Sequence, residues 1–369
     1  MWRVENSIHV IIYWLRRLIA MQTPEQAENM NALLFHEYGA AENLKYESVP
    51  KPQVSSPDDI IIKVAAAGLG HGDLIVRQGH LKYLFPMKFP IILGMDYSGT
   101  ISAKGENVTD FKVGDKVYGQ FHSPTPNGTF AEYTKVNWKK DLIIQKPENL
   151  SFEEAAGVPT SAMAAYFAVV DHGKLDTSGN KRVLVIGAAG SIGSWSVQFA
   201  KSFGAHVTAI CSSIDASICK SLGADEIIDY TAADFTQLIA AAPLFDFVVD
   251  IVGGDDYWNL IKPKLVDGGV YSTQSGISKF GGDGNPLISM LWTALTSIPR
   301  NMFSKVTYKL YTDAPKSYGL KINEMIKDGK VKCFVNHRYP LKDGAAAQKL
   351  LETRLAAGRI VLIPEAGTL

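Results

Sequence analysis

Residues 182–213, RVLVIGAAGSIGSWSVQFAKSFGAHVTAICSS, constrain the fold of this chain more than any other stretch. RVLVI is an unbroken apolar run, the pattern of a parallel strand buried on both faces. Glycines follow at Gly187, Gly190 and Gly193. Trp195, Val197, Phe199 and Ala200 then mix with polar residues as in a packed helix, and Gly204 stops it. HVTAIC (206–211) is a second strand, rich in β-branched residues. Strand, glycine turn, helix and strand make a unit of the right length for a right-handed crossover. A turn without side chains lets a pyrophosphate approach backbone N–H groups. The helix N-terminus adds the positive end of its dipole. The unit predicts a dinucleotide site at Gly187, Ala189, Gly190, Ser191, Ile192 and Gly193. The alternative is a helix–strand packing turn that binds nothing.

The flanking segments place this unit in a larger plan. ALLFHEYG, LKYESVPKP, DDIIIKVAAAGLG, YSGTISAKG, VGDKVYG and TFAEYTKV are short β-patterned runs separated by Gly, Pro, Asn and Asp. They predict a mostly antiparallel barrel. SFEEAAGVPTSAMAAYFAVV (151–170) opens with a capping box, Ser151 to Glu154, and reads as one Ala-rich helix. After the glycine unit, DEIIDY (225–230), FDFVVDIV (245–252), GGVYSTQSG (268–276) and KVTYKLYT (305–312) read as strands, with a helix from about 255 to 265. KDGKVKCFVNHRYPL, GAAAQKLLETRLAAG and RIVLIP return to short strands and a helix. The expectation is an α/β chain with its sheet domain at 157–312. Residues 30–156 and 313–369 form the other domain, and 369 residues suffice for two cores.

Lys+Arg and Asp+Glu both number 37, so no electrostatic footprint for nucleic acid is expected. The three cysteines, Cys211, Cys219 and Cys333, lack metal-ligand spacing and suit a reducing, cytoplasmic compartment. Residues 1–29 stand apart. Within 1–21, Ile8, Ile11, Ile12, Leu15, Leu18 and Ile19 share a helical face beside Arg3, Arg16 and Arg17. The stretch is too short and interrupted to span a membrane. Two readings stand: a mitochondrial presequence or membrane-contacting helix, and an unstructured extension.

AGLGHGDLIVRQG (67–79), FPIILGMDYSGTI (89–101), FKVGDKVYG (111–119), GTFAEY (128–133), PENLSFEEAAGVP (147–159), VLVIGAAGSIG (183–193), SLGADEIIDY (221–230) and AAGRIVLIP (356–364) occur in order. With these motifs the chain, from about Met30 onward, resembles the medium-chain dehydrogenase/reductase superfamily. The resemblance implies a GroES-like β-barrel domain, a Rossmann domain with a doubly wound parallel sheet, and a cofactor cleft between them. A homodimer is expected. The zinc branch of that superfamily places a cysteine ligand where this chain has Gly70 and a histidine where it has Met95. No cysteine lies between Val158 and Ala168 for the third ligand, and the four-cysteine structural lobe is missing. His71, His80 and His122 are isolated, so no metal is expected. The resemblance points to the zinc-independent, quinone oxidoreductase-like branch.

That branch's Asn-x-x-Asp-x-x-x-Arg-x-Gly pattern falls on Gly70, Asp73, Arg77 and Gly79, with the asparagine lost. Asp73 and Arg77 either serve the catalytic pocket or form an ion pair that orders the loop. Tyr83 is either the proton donor or a packing tyrosine. The strand 206–211 runs into Ser212 and Ser213 where an NAD enzyme carries a carboxylate, and the first acid, Asp215, is set back. Two hydroxyls suit the 2′-phosphate of NADPH. The resemblance adds Tyr230, Val252 and Ser275 as cofactor contacts, and Arg359 as a residue in reach of the pyrophosphate. Residues 277–304, with Trp292 and Phe303, read either as a pocket wall or as packing and dimer contact. Without a Lewis acid, conjugate reduction is the less demanding chemistry, because charge delocalises onto an oxygen that hydrogen-bond donors can hold. The expected activity is NADPH-dependent reduction of a small apolar quinone, enone or enoyl thioester. The alternative is an NADPH-binding regulatory or membrane-associated protein with little turnover.

Overall fold

The apolar run RVLVI becomes the strand Arg182–Ile186, with Val183, Leu184, Val185 and Ile186 fully buried. It lies inside a six-stranded sheet in a computed structural model that describes residues 28–177, 179–273, 295, 297–302, 304–310 and 314–365. The expectations for residues 1–21, Ser275, Trp292 and Phe303 lie outside the described residues. In spatial order the strands are Glu226–Asp229, His206–Cys211, Arg182–Ile186, Phe245–Asp250, Leu265–Thr273 and Thr307–Leu310. Every neighbouring pair is parallel. The order reverses between Arg182–Ile186 and Phe245–Asp250, which is the switch point where a doubly wound sheet opens a crevice. The helix Ser191–Ser202 covers one face through Trp195 and Phe199, whose rings stack at 5.6 Å. Trp258, Ile261 and Tyr271 pack on the other face.

The β-patterned segments form the second domain around the long strand Asp59–Leu69. That strand pairs antiparallel with Asp96–Lys104, Tyr133–Asn137 and the C-terminal Arg359–Ile363. The last strand therefore completes a sheet begun almost three hundred positions earlier, consistent with runs of alternating polarity that cannot bury themselves alone. A separate sheet joins Lys45–Pro50, Asn29–Phe35 and Ile91–Ile92.

The expected single helix at 151–170 is two helices, Phe152–Ala156 and Pro159–Phe167, followed by a π-turn over Ala168–His172. Pro159 has no N–H to continue the first helix and starts the second instead. The capping box is present: Ser151 Oγ accepts from Glu154 N at 3.1 Å, and Glu154 Oε2 accepts from Ser151 N at 2.8 Å. The strand expected at 268–276 begins earlier, at Leu265. The helix Lys316–Lys327 buries Ile322 and Ile326 in a core shared with Tyr118, Leu142 and Phe199, joining the two domains. Among the described residues no helix is long and apolar enough to cross a membrane.

Candidate active site

The glycines divide the work of the turn. Gly187 has φ of 74°, a left-handed value that favours glycine. A Cβ at Gly193 would collide with the Gly187 carbonyl and lie 2.8 Å from Ala188 Cα, so its lack of a side chain lets helix and strand approach. A Cβ at Gly190 would meet only the Gly187 carbonyl, at 3.3 Å, and otherwise open space. Gly190 thus lines an uncrowded cradle at the N-terminus of Ser191–Ser202, where Ser191 and Ile192 are half-buried and the first N–H groups lack intrahelical partners. The cradle fits a pyrophosphate. Gly358 N donates to Ala189 O at 2.7 Å and pins the turn to the C-terminal strand of the other domain. Val252 overhangs the turn, its Cγ2 lying 3.1 Å from where a Gly187 Cβ would stand.

At the end of His206–Cys211 the structure gathers Ser212, Ser213 and Tyr230; Tyr230 N donates to Cys211 O at 3.2 Å and its ring is exposed. Both hydroxyls already have acidic partners. Ser212 Oγ donates to Asp215 Oδ2 at 2.7 Å, and Ser213 hydrogen-bonds Asp229. Hydrogen bonds from Thr231, then from Ser213, hold the half-buried Asp229 carboxyl below its usual range. Sequence reasoning noticed Asp215 but missed Asp229. The signal was available in each case: an acid three residues after Ser212, and one at the end of the adjacent strand.

A buried ion pair lies beside Gly70, one of the positions where the zinc branch carries a ligand. Arg359, 4% exposed, pairs with Asp96, 1% exposed, and donates to Ser161 Oγ at 3.0 Å. The guanidinium stands 3.3 Å from the place of a Gly70 Cβ. Asp96 also accepts from Thr160 Oγ1 at 2.5 Å. Burial raises the Asp96 carboxyl, and the Arg359 charge opposes that rise. The Arg359 side chain is held between Asp96 and Ser161. Gly70 has no side chain and Met95 offers only a thioether, so these residues do not fit zinc. Among the described residues no group of three or more His, Cys, Asp or Glu side chains converges to hold a metal.

Asp73 and Arg77 do not pair with each other, so of the two readings the loop-ordering ion pair between them does not form; each has other partners. Asp73 Oδ2 accepts from Gly70 N at 2.8 Å and Oδ1 from Gly94 N at 3.1 Å. It caps the helix His71–Arg77 and ties it to the Gly94 turn. Burial pushes its carboxyl up to about 7, opposed by those N–H groups and Arg359. Arg77 is fully buried, ion-paired with Glu352 and bonded to Gly39 O and, at 2.6 Å, to Gln348 Oε1. Tyr83 is 70% exposed with Lys82 Nζ 5.0 Å from its ring centroid, and its hydroxyl has no hydrogen bond among the described residues.

A GroES-like barrel, a Rossmann sheet and a dinucleotide cradle at the seam define an oxidoreductase architecture. Residues 56–148 match the family model described as alcohol dehydrogenase GroES-like domain, and residues 222–362 that described as zinc-binding dehydrogenase. The chain is 31% identical over 356 residues to NAD(P)H oxidoreductase RTN4IP1, mitochondrial, of Danio rerio, covering 90% of this chain and 91% of that one. It is 32% identical over 345 residues to 2-methylene-furan-3-one reductase of Solanum lycopersicum, covering 91% and 79%. The structure of the quinone oxidoreductase from Coxiella burnetii superposes with a TM-score of 0.75 at 26% identity, covering 91% of this chain and 99% of that one. The chain belongs to the medium-chain dehydrogenase/reductase superfamily, in its quinone oxidoreductase-like branch.

Proposed function

We propose that this chain is a zinc-independent reductase that uses NADPH to reduce a carbon conjugated to a carbonyl, in a quinone, enone or enoyl thioester. The observation that carries this reading is the pairing of an uncrowded glycine turn at Gly190 with an Arg359–Asp96 ion pair beside Gly70, where the zinc branch has a ligand. The names of the relatives, a quinone oxidoreductase and a furanone reductase, support the same substrate class. The bound dihydronicotinamide supplies a hydride. The N–H groups at the start of Ser191–Ser202 would hold the pyrophosphate, and Val252, beside Gly187, would lie against the cofactor. Water or the Tyr83 hydroxyl, 70% exposed, would supply the proton. The division into 30–156 with 313–369, and 157–312, belongs to the same reading, as does a homodimer through the open sheet edge at Thr307–Leu310, beside exposed Ile298 and Met302.

The test is NADPH consumption against a panel of quinones and enones, with the matching saturated ketones alongside. Conjugated acceptors are expected to react, saturated ones to be poor, and chelators to change neither rate nor melting temperature. Alcohol oxidation as fast as enone reduction, or one zinc per chain by elemental analysis, overturns the assignment. Tight NADPH binding without turnover of any acceptor favours a nucleotide-binding regulatory protein instead.

A further inference from the structure

Behind Val252 lies a buried polar chain that hydride transfer itself does not use. Asp250 ends the strand Phe245–Asp250 and is 1% exposed. Its Oδ1 accepts from Val252 N at 2.9 Å and from Gly253 N at 2.8 Å. The chain curls around that oxygen, and Gly253 and Gly254 take positive φ of 76° and 114°. Val252 is left exposed at the cleft, over Gly187. The other oxygen, Oδ2, accepts from the Tyr271 hydroxyl at 2.6 Å. Tyr271 is itself fixed: its ring stacks on Tyr308 at 5.6 Å and meets Trp258 edge-on at 5.1 Å. A buried carboxylate keeps its place only with such donors, and its geometry is set by them.

In a doubly wound sheet the two halves of a dinucleotide lie on either side of the switch point. His206–Cys211 and Phe245–Asp250 lie on opposite sides of that switch point, so the first would flank the adenosine half and the second the nicotinamide half. We propose that Asp250, held by Tyr271, is a positioning residue that sets Val252 and Gly253 against the nicotinamide half of the cofactor. It acts through the backbone of those two residues and touches no reacting atom. The inference rests on the dinucleotide reading of the site.

The experiment uses the full chain and compares whole cofactors with adenosine fragments. NADPH and NADH are titrated by protein fluorescence, and ADP and adenosine 2′,5′-bisphosphate by calorimetry. Tyr271→Phe is expected to weaken both whole dinucleotides by roughly three- to tenfold, and Asp250→Ala by more, as hydrogen bonds to a charged group are lost. Fragment binding stays at the wild-type value. Asp250→Asn keeps an acceptor for Val252 N and Gly253 N and is expected to restore dinucleotide affinity to within about threefold. Wild-type dinucleotide affinity in Tyr271→Phe overturns the proposal. So does an equal loss of fragments and dinucleotides, the mark of a merely structural role. Should Asp250→Ala fail to fold, Tyr271→Phe decides, because it keeps the ring and its stacking. A wild-type chain that binds neither dinucleotide nor fragment removes the cofactor reading itself, and this inference with it.

Discussion

Gly190 and Gly193 stand three residues apart and answer to different physics. Gly190 has φ of −71° and ψ of 174°, a conformation any residue adopts, and its missing side chain faces the cradle. Gly190→Val is therefore expected to fold normally and lose dinucleotide affinity by at least roughly tenfold, read by fluorescence titration. Gly193→Ala forces a Cβ into the Gly187 carbonyl and lowers thermal stability instead. Asp215 makes a second residue-level case. Its carboxylate holds Ser212 Oγ at 2.7 Å, where a 2′-phosphate would place further negative charge. Asp215→Asn is expected to tighten NADPH about three- to tenfold, with NADH unchanged or weaker, by removing that repulsion. No tightening would place the phosphate away from Ser212.

At the scale of elements, Pro159 breaks the expected 151–170 helix into two pieces, and a π-turn then carries His172 inward. His172 is 7% exposed; its Nδ1 lies 2.8 Å from Ser272 Oγ and its ring meets Phe167 edge-on. Burial first, then the Lys309 charge, pushes its pKa down to about 4 from 6.5. A histidine depressed in the folded state is neutral there while the unfolded chain takes up its proton. Stability from this group is complete above about pH 6.5 and lost as pH falls toward 4. Asp73 acts in the opposite sense: raised to about 7, it favours the folded state as pH falls from 7 toward 4. His172→Asn should therefore flatten the acid loss of stability between pH 6.5 and 4, measured by urea unfolding at several pH values. An unchanged slope would show that His172 does not titrate in that window.

For the whole molecule, the buried pair Arg359–Asp96 links the last strand, the Asp96–Lys104 strand and the helix Pro159–Phe167. Arg359→Met leaves the Asp96 carboxylate without its cation, and a loss of about 3–5 kcal/mol in denaturant unfolding is expected. Asp96→Asn with Arg359→Met should recover much of it, since no isolated charge then remains. The parallel sheet, the glycine turn, the capping box and the empty ligand positions at Gly70 and Met95 were all legible in the chain, because each depends on residue type at short spacing. Arg77 with Glu352, Asp250 with Tyr271 and Arg359 with Asp96 were not. Their partners lie far apart in sequence or on separate strands, and only the packing of two domains decides which carboxylate a buried cation or hydroxyl meets. The sequence by itself determined the strands, the turn and the loss of ligand side chains at Gly70 and Met95. The tertiary structure alone decided the partners of its buried charges, because burial removes the water that would otherwise serve as every polar group's partner.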